Sequence, residues 1–180
     1  MVRSDARENR ERVLAVAREA FAEDDETSMN QIAQRAGVGA GTLYRNFPTR
    51  EALVLAVYQN EVERIVSSVP GLLAEKSPLE ALRHWTTDLV EAMRKKHGLG
   101  EALSPSAHKE ITEQTYGPVI TAITELFDAG KQDGTIRMDA DAGDFLQLTG
   151  ALWRAASGTE DRSPRMLALI LDGLRADSQK

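Results

Sequence analysis

Residues 27–50, TSMNQIAQRAGVGAGTLYRNFPTR, contain three arginines (Arg35, Arg45, Arg50) and no acidic side chain, in a chain of 180 residues with 28 acids and 22 bases. An acid-free stretch with guanidinium and hydroxyl groups has the chemistry to meet phosphate. Other chemistries lack their residues. There is no cysteine, which excludes a thiol nucleophile, a disulfide framework and a Cys-ligated zinc. His84, His97 and His108 are 13 and 11 residues apart, with no HExxH and no cysteine, so they read as solvated or hydrogen-bonded rather than as metal ligands. No G-x-S-x-G elbow, P-loop or G-x-G-x-x-G after a strand occurs, and Val38-Gly39-Ala40-Gly41 lies between helices. No catalytic residue, metal or cofactor is expected.

The elements that must position this stretch follow from its residue types. Ser28 and Gln31 have the spacing of a capping box, which starts a short helix with Ile32, Ala33 and Ala36 on its apolar face. Ala33 is small where two helices should cross, and Gly37 stands where the chain must turn with a positive φ. Val38 re-enters the core, and a second helix over about 39–46 turns Leu43 and Phe47 inward. Ala40, Gly41, Thr42, Tyr44 and Arg45 are then free to face a groove, the arrangement of a helix-turn-helix.

The run Ser28–Leu53, above all AGVGAGTLYRNFPTREAL, resembles the DNA-binding domain of the TetR family of one-component transcriptional regulators. The G-T-L-Y-x-x-F-x-[TS]-[KR]-E-x-L arrangement carries the resemblance. It implies that Thr42 contacts the DNA backbone or a base edge, that Tyr44 and Arg50 contact phosphates, and that Thr27 or Ser28 does so before the preceding helix. Arg45 would contact a base or phosphate, and Gly39, Ala40, Gly41 and Thr49, the cap of the next helix, complete the expected DNA-binding set. Two positions depart from the family pattern: residue 39, usually a serine or threonine cap, and residue 41, often a longer base-reading side chain, are both glycine. Gly39 can still cap, whereas Gly41 makes no side-chain contact and weakens the helix by about 1 kcal/mol relative to alanine. Readout then falls to Arg45, Thr42 and the Ala40 methyl, and moderate sequence specificity is expected.

The net charge of −6 fits a DNA binder once divided along the chain: residues 1–50 hold eight bases and eight acids, while 51–180 hold 14 and 20. Arg3, Arg7, Arg10 and Arg12 cluster at the start of a first helix and Glu23–Glu26 at its far end, which presents a basic end to phosphates. A hydrophobic content of 42% suffices for a core without disulfides or metals. No window approaches the roughly 18 apolar residues of a membrane span, and no apolar signal core follows the N-terminal arginines. A cytoplasmic protein without membrane contact is expected.

Helical spacing of apolar residues predicts an all-α fold of about nine helices. A first helix over about 5–24 carries Val13, Ala17, Ala20 and Phe21, and a long one after Thr49 carries Leu53, Val57 and Ile65 and ends before Pro70-Gly71. Ser77, Pro78 and Glu80 open a helix with Leu82, Trp85, Leu89 and Met93 on one stripe. After the GLGEALSPS segment, read as a gate beside a cavity or an ordinary loop, a helix over about 109–129 is broken or kinked at Gly117-Pro118 and ends at Gly130 and Gly134. Helices over 141–157 and from Ser163-Pro164 complete the count.

The family resemblance divides the chain into a DNA-binding domain over 1–48, a connecting helix over 49–70 and an effector-binding and dimerisation domain over 71–180. It implies a homodimer through the last two helices, which are apolar on more than one face. It also implies a small-molecule effector in the second domain. Trp85, Leu89, Met93, Tyr116, Ile120, Ile123, Phe127, Phe145, Leu148 and Trp153 are candidates to touch it, although residues of these types at this spacing also build ordinary cores. The expected protein is a ligand-responsive repressor of a palindromic operator, released by an apolar or aromatic molecule. The alternative is a DNA-binding regulator whose second domain only dimerises or binds a protein; an all-α enzyme lacks its catalytic constellation.

Overall fold

The structure, a computed structural model, describes residues 2–24, 26–98, 103–152 and 161–176. Nine helices occupy them: α1 Val2–Glu23, α2 Met29–Arg35, α3 Ala40–Asn46, α4 Arg50–Ser67, α5 Val69–Glu75, α6 Pro78–Gly98, α7 Pro105–Gln132, α8 Ala142–Thr149 and α9 Ser163–Leu174. The fold is all-α, and an isolated antiparallel bridge between Ile136 and Arg175 is the one extended pairing among the described residues. None of the described helices is long and apolar enough to cross a membrane. Contacts gather the chain into two compact units, residues 1–61 with 95–112 and residues 62–94 with 113–180.

In the first unit, α1 lays Val13, Ala17, Ala20 and Phe21 against Ile32 and Ala33 of α2 and Leu43 of α3, all at most 5% exposed. The capping box forms as the spacing predicts, with the Ser28 hydroxyl accepting from the Gln31 N–H and the Gln31 side chain accepting from the Ser28 N–H at 2.8 Å. Helix α2 ends in a Schellman turn: Gly37 N–H reaches the Gln34 carbonyl, Val38 N–H reaches the Ala33 carbonyl at 3.0 Å, and Gly37 has φ 65°. Val38 itself is half-buried rather than enclosed. Helix α4 opens on Thr49, whose hydroxyl accepts from the Ala52 N–H at 3.0 Å.

Helix α4 ends at Ser67, before Pro70-Gly71 as expected, and Pro70 then stands in the first turn of α5, where its missing N–H is no loss. Two features of α7 differ from those read in the sequence. Pro118 does not break α7, which runs unbroken from 105 to 132. A mid-helix proline costs about 3 kcal/mol, and the buried row Val119, Ala122, Ile123 and Leu126 just beyond it supplies the offsetting packing. Gly130 lies inside α7, where a Cβ would stand 2.5 Å from Ile136 Cδ1, so the glycine serves close packing; Gly134, with φ 76°, makes the turn.

The core of the second unit is built on α6 and α7. Trp85 is fully buried and its indole N–H donates to the Ile65 carbonyl at 2.9 Å. Phe127 and Phe145 meet edge to face with centroids 5.4 Å apart. Helix α8 starts at its Asp141 cap and stops at Thr149, earlier than the expected 157, and residues 153–157 of that expectation lie outside the described residues. Helix α9 begins at Ser163-Pro164 as the sequence predicts. Just before it, the Asp161 carboxylate takes the Ser163 N–H at 3.0 Å and the two ends of the Arg94 guanidinium at 3.0 and 3.1 Å. The Ser163 backbone first, then Arg94, holds the Asp161 carboxyl at about 2, below the usual carboxylate range.

Candidate nucleic-acid interface

The side chains that could meet phosphate or bases are held by short-range caps and a small core. In α3 only Leu43 is buried, and Phe47 beyond it is 2% exposed, so these two anchor the helix and leave its other side open. That side carries Ala40, Gly41, Tyr44 and Arg45, all exposed, and half-exposed Thr42. Tyr44 is 44% exposed. The N-cap Gly39 has extended backbone and no side-chain cap bond, and a Cβ at Gly41 would meet nothing within 4 Å. Within the helix, Arg45 Nη2 donates to the Thr42 hydroxyl at 3.1 Å and the Asn46 amide to the Thr42 carbonyl at 2.8 Å.

The flanking candidates divide. Ser28 and Thr49 are exposed at the caps of α2 and α4. Thr27 is 2% exposed, and its hydroxyl donates to the carbonyls of Asp24 at 2.8 Å and Ala20 at 3.3 Å. The expectation that its side chain faces DNA is therefore corrected: the hydroxyl is turned inward onto two carbonyls at the end of α1. Arg50 is half-buried, donates to the Thr27 carbonyl and stacks over the Phe21 ring at 4.6 Å. Its guanidinium ties α4 to α1.

Two further braces escaped the sequence reading. Arg10 lies over the Phe47 ring at 4.8 Å, and Arg12 Nε donates to the Ala36 carbonyl at 3.1 Å, in the turn between α2 and α3. Both arginines were legible as a basic end of α1, but their partners are 37 and 24 residues away, and no local spacing reveals them.

The residues proposed for an effector do not form one lining. Trp85, Leu89, Ile123, Phe127 and Phe145 are at most 2% exposed and belong to the packed core. Met93 and Ile120 are half-buried. Tyr116 is 50% and Leu148 59% exposed, so neither stands in the interior expected for it. Tyr116 faces outward in the stretch of α7 between buried Ile111 and Val119, and Leu148 is exposed on α8 beside Gln147. Trp153 lies outside the described residues. An open groove of about 510 Å³ runs beside Ile120, Thr124 and Asp128 of α7 and Leu73 of α5. A cleft of about 250 Å³ between α6 and α9 contains none of the ten. No group of three or more metal-ligating side chains occurs among the described residues.

Comparison with known proteins places both parts of the chain. Residues 13–57 match the family described as bacterial regulatory proteins, tetR family, and residues 77–176 match the C-terminal domain of transcriptional regulators similar to SbtR. A TetR transcriptional regulator from Streptomyces coelicolor of known structure is 40% identical, with 94% of this chain and 99% of that chain covered and a TM-score of 0.80. A TetR regulatory protein from Mycobacterium vanbaalenii is 36% identical over 98% and 100% of the two chains, with a TM-score of 0.75. An HTH-type transcriptional regulator of Staphylococcus aureus is 38% identical over 68 residues, so the match spans 37% of this chain and 37% of that curated relative.

Proposed function

The chain belongs to the TetR family of DNA-binding transcriptional regulators, and from that premise we propose that it is a homodimeric repressor released from a pseudo-palindromic operator by a small apolar or aromatic molecule. The observation that carries the DNA half is the exposed side of α3, where Thr42, Tyr44 and Arg45 surround a glycine with open space above it. Each copy would place α3 in a major groove, and two copies would read half-sites about one helical turn apart. Ser28, Thr49, Tyr44 and the backbone at Gly39 and Ala40 are assigned to phosphate and groove contact, with Arg50 a brace that also lends positive charge. These roles divide residues 1–48 for DNA, 49–70 for connection and 71–180 for effector and partner.

Dimerisation through the last two helices is supported by Leu148, 59% exposed on α8, and Leu169, 73% exposed on α9. Large apolar side chains on helices that also fill a core need a second surface to cover them. An apolar effector is supported by the open groove beside Ile120 of α7 and Leu73 of α5. Release requires the effector to bind the DNA-incompetent dimer more tightly, with a coupling of about 1–3 kcal/mol. The protein would act in the cytoplasm, without catalysis, cofactor or membrane contact. The dense packing of five of the proposed lining residues favours the second reading, in which that unit only dimerises or binds a protein.

The two readings separate in one experiment. The chain is bound to a duplex enriched from random DNA, its stoichiometry is read by light scattering, and a library of small apolar molecules is then tested for release. Two chains per duplex and release by some compound support ligand control. Two chains with no release by any compound favour the interaction module, and one chain per duplex contradicts the dimer.

A further inference from the structure

Seven arginine side chains are described between residues 7 and 50, and six of them are held by a carboxylate, a backbone carbonyl or an aromatic ring of the protein. Arg7 meets Glu11 at 3.5 Å, Arg18 meets Glu61 at 3.2 Å and Arg35 meets Glu23 at 2.8 Å. Arg10 covers Phe47, Arg12 holds the Ala36 carbonyl, and Arg50 holds Thr27 and Phe21. Arg45 differs. It is exposed at the end of the recognition helix, its partner is the neutral Thr42 hydroxyl at 3.1 Å, and no carboxylate among the described residues pairs with it. Its charge is therefore uncompensated, and one bond to Thr42 leaves four of the five guanidinium donors.

The rest of the helix surface makes that side chain the dominant reader. Gly39 and Gly41 have no side chain, Ala40 offers a methyl, and Asn46 has turned its amide onto the Thr42 carbonyl of its own helix. Open space at Gly41 lets the helix backbone sit deep in a groove. The geometry points to Arg45 as the specificity-determining residue, reading a guanine through its O6 and N7 in the major groove, with Thr42 as a positioning residue that fixes the guanidinium before DNA arrives. Arginine makes this bidentate contact to guanine more often than any other side chain makes a specific base contact. Holding it in place beforehand limits the rotamer entropy lost on binding. Each half-site then has one guanine that matters far more than its neighbours. This assignment rests on the DNA-binding reading above.

The test is sequence selection from a random duplex pool by the full chain and by Arg45→Ala, Thr42→Val and Thr42→Ser, followed by affinities for the winning site and for that site with one base pair changed. The wild type should show one dominant guanine per half-site, with its replacement by adenine costing about tenfold in affinity. Arg45→Ala should erase the preference at that position alone. Thr42→Val should reduce it about threefold, and Thr42→Ser, which keeps the hydroxyl, should restore it. Uniform weakening of all sites by Arg45→Ala, with the salt slope reduced by about one, would identify a phosphate contact and overturn the assignment. Enrichment without a dominant guanine, or with one untouched by Arg45→Ala, overturns it as well and leaves DNA binding standing. A wild type that enriches nothing overturns the DNA-binding reading together with this one.

Discussion

Helices α3 and α6 use their surfaces in opposite ways. Of the seven residues of α3 only Leu43 is buried, whereas α6 encloses Leu82, Trp85, Thr86 and Leu89 in successive turns at 2% exposure or less. On α3 the residue types answer to something outside the chain: a glycine, a threonine, a tyrosine and an arginine at positions that packing leaves free. On α6 they answer to neighbours within it. A buried tryptophan with its N–H satisfied by Ile65 carries a structural message first. Side-chain identity therefore points to a partner in the first region and to a core in the second.

The largest effect should come from the packed side. Trp85→Ala removes a fully buried indole and should cost about 3–5 kcal/mol in urea unfolding, and DNA affinity should fall only through loss of folded protein. A cost below about 1 kcal/mol would mean that Trp85 borders open space, and would move α6 toward the effector reading. Gly130→Ala comes next: its methyl would meet Ile136 at 2.5 Å, and overpacking of this kind costs about 1–3 kcal/mol, seen as a lower midpoint with unchanged slope.

Thr27→Val sharpens the boundary between the two regions inside the first unit. Loss of a buried hydroxyl that donates to Asp24 and Ala20 should lower stability by about 1 kcal/mol while leaving the salt dependence of DNA binding unchanged. A reduced salt slope at unchanged stability would return Thr27 to the DNA face. The smallest effect is confined to acid. Because the Asp161 carboxyl sits at about 2 in the fold and near 4 in an unfolded chain, its contribution is complete above pH 4 and is lost as pH falls toward 2. Asp161→Asn should flatten the stability profile between those values and leave it unchanged in shape near neutrality.

The first region was the more legible one for a physical reason. The Ser28–Gln31 box, the positive φ of Gly37 and the inward Leu43 are decided within a few residues, and each needs a particular residue type. Arg50 shows the limit even there, since its partners Phe21 and Thr27 are brought to it by the bundle and not by the chain around it. In the second region, Pro118 reads locally as a break, yet α7 continues because packing beyond it outweighs the missing hydrogen bond. Gly130 reads as a stop because the approach of Ile136 depends on a turn that lies after it. Apolar spacing marked Tyr116 and Leu148 as interior, but spacing cannot say which face of a helix a neighbour covers.

DNA binding by the exposed face of α3 is read from the salt dependence of affinity for a selected duplex. Fluorescence anisotropy across about 50–200 mM salt should give a log–log line of negative slope, its steepness set by the number of phosphates neutralised, and Tyr44→Phe should weaken every site alike. Affinity that does not change with salt, or no binding at the lowest salt, would mean that this face does not bind DNA.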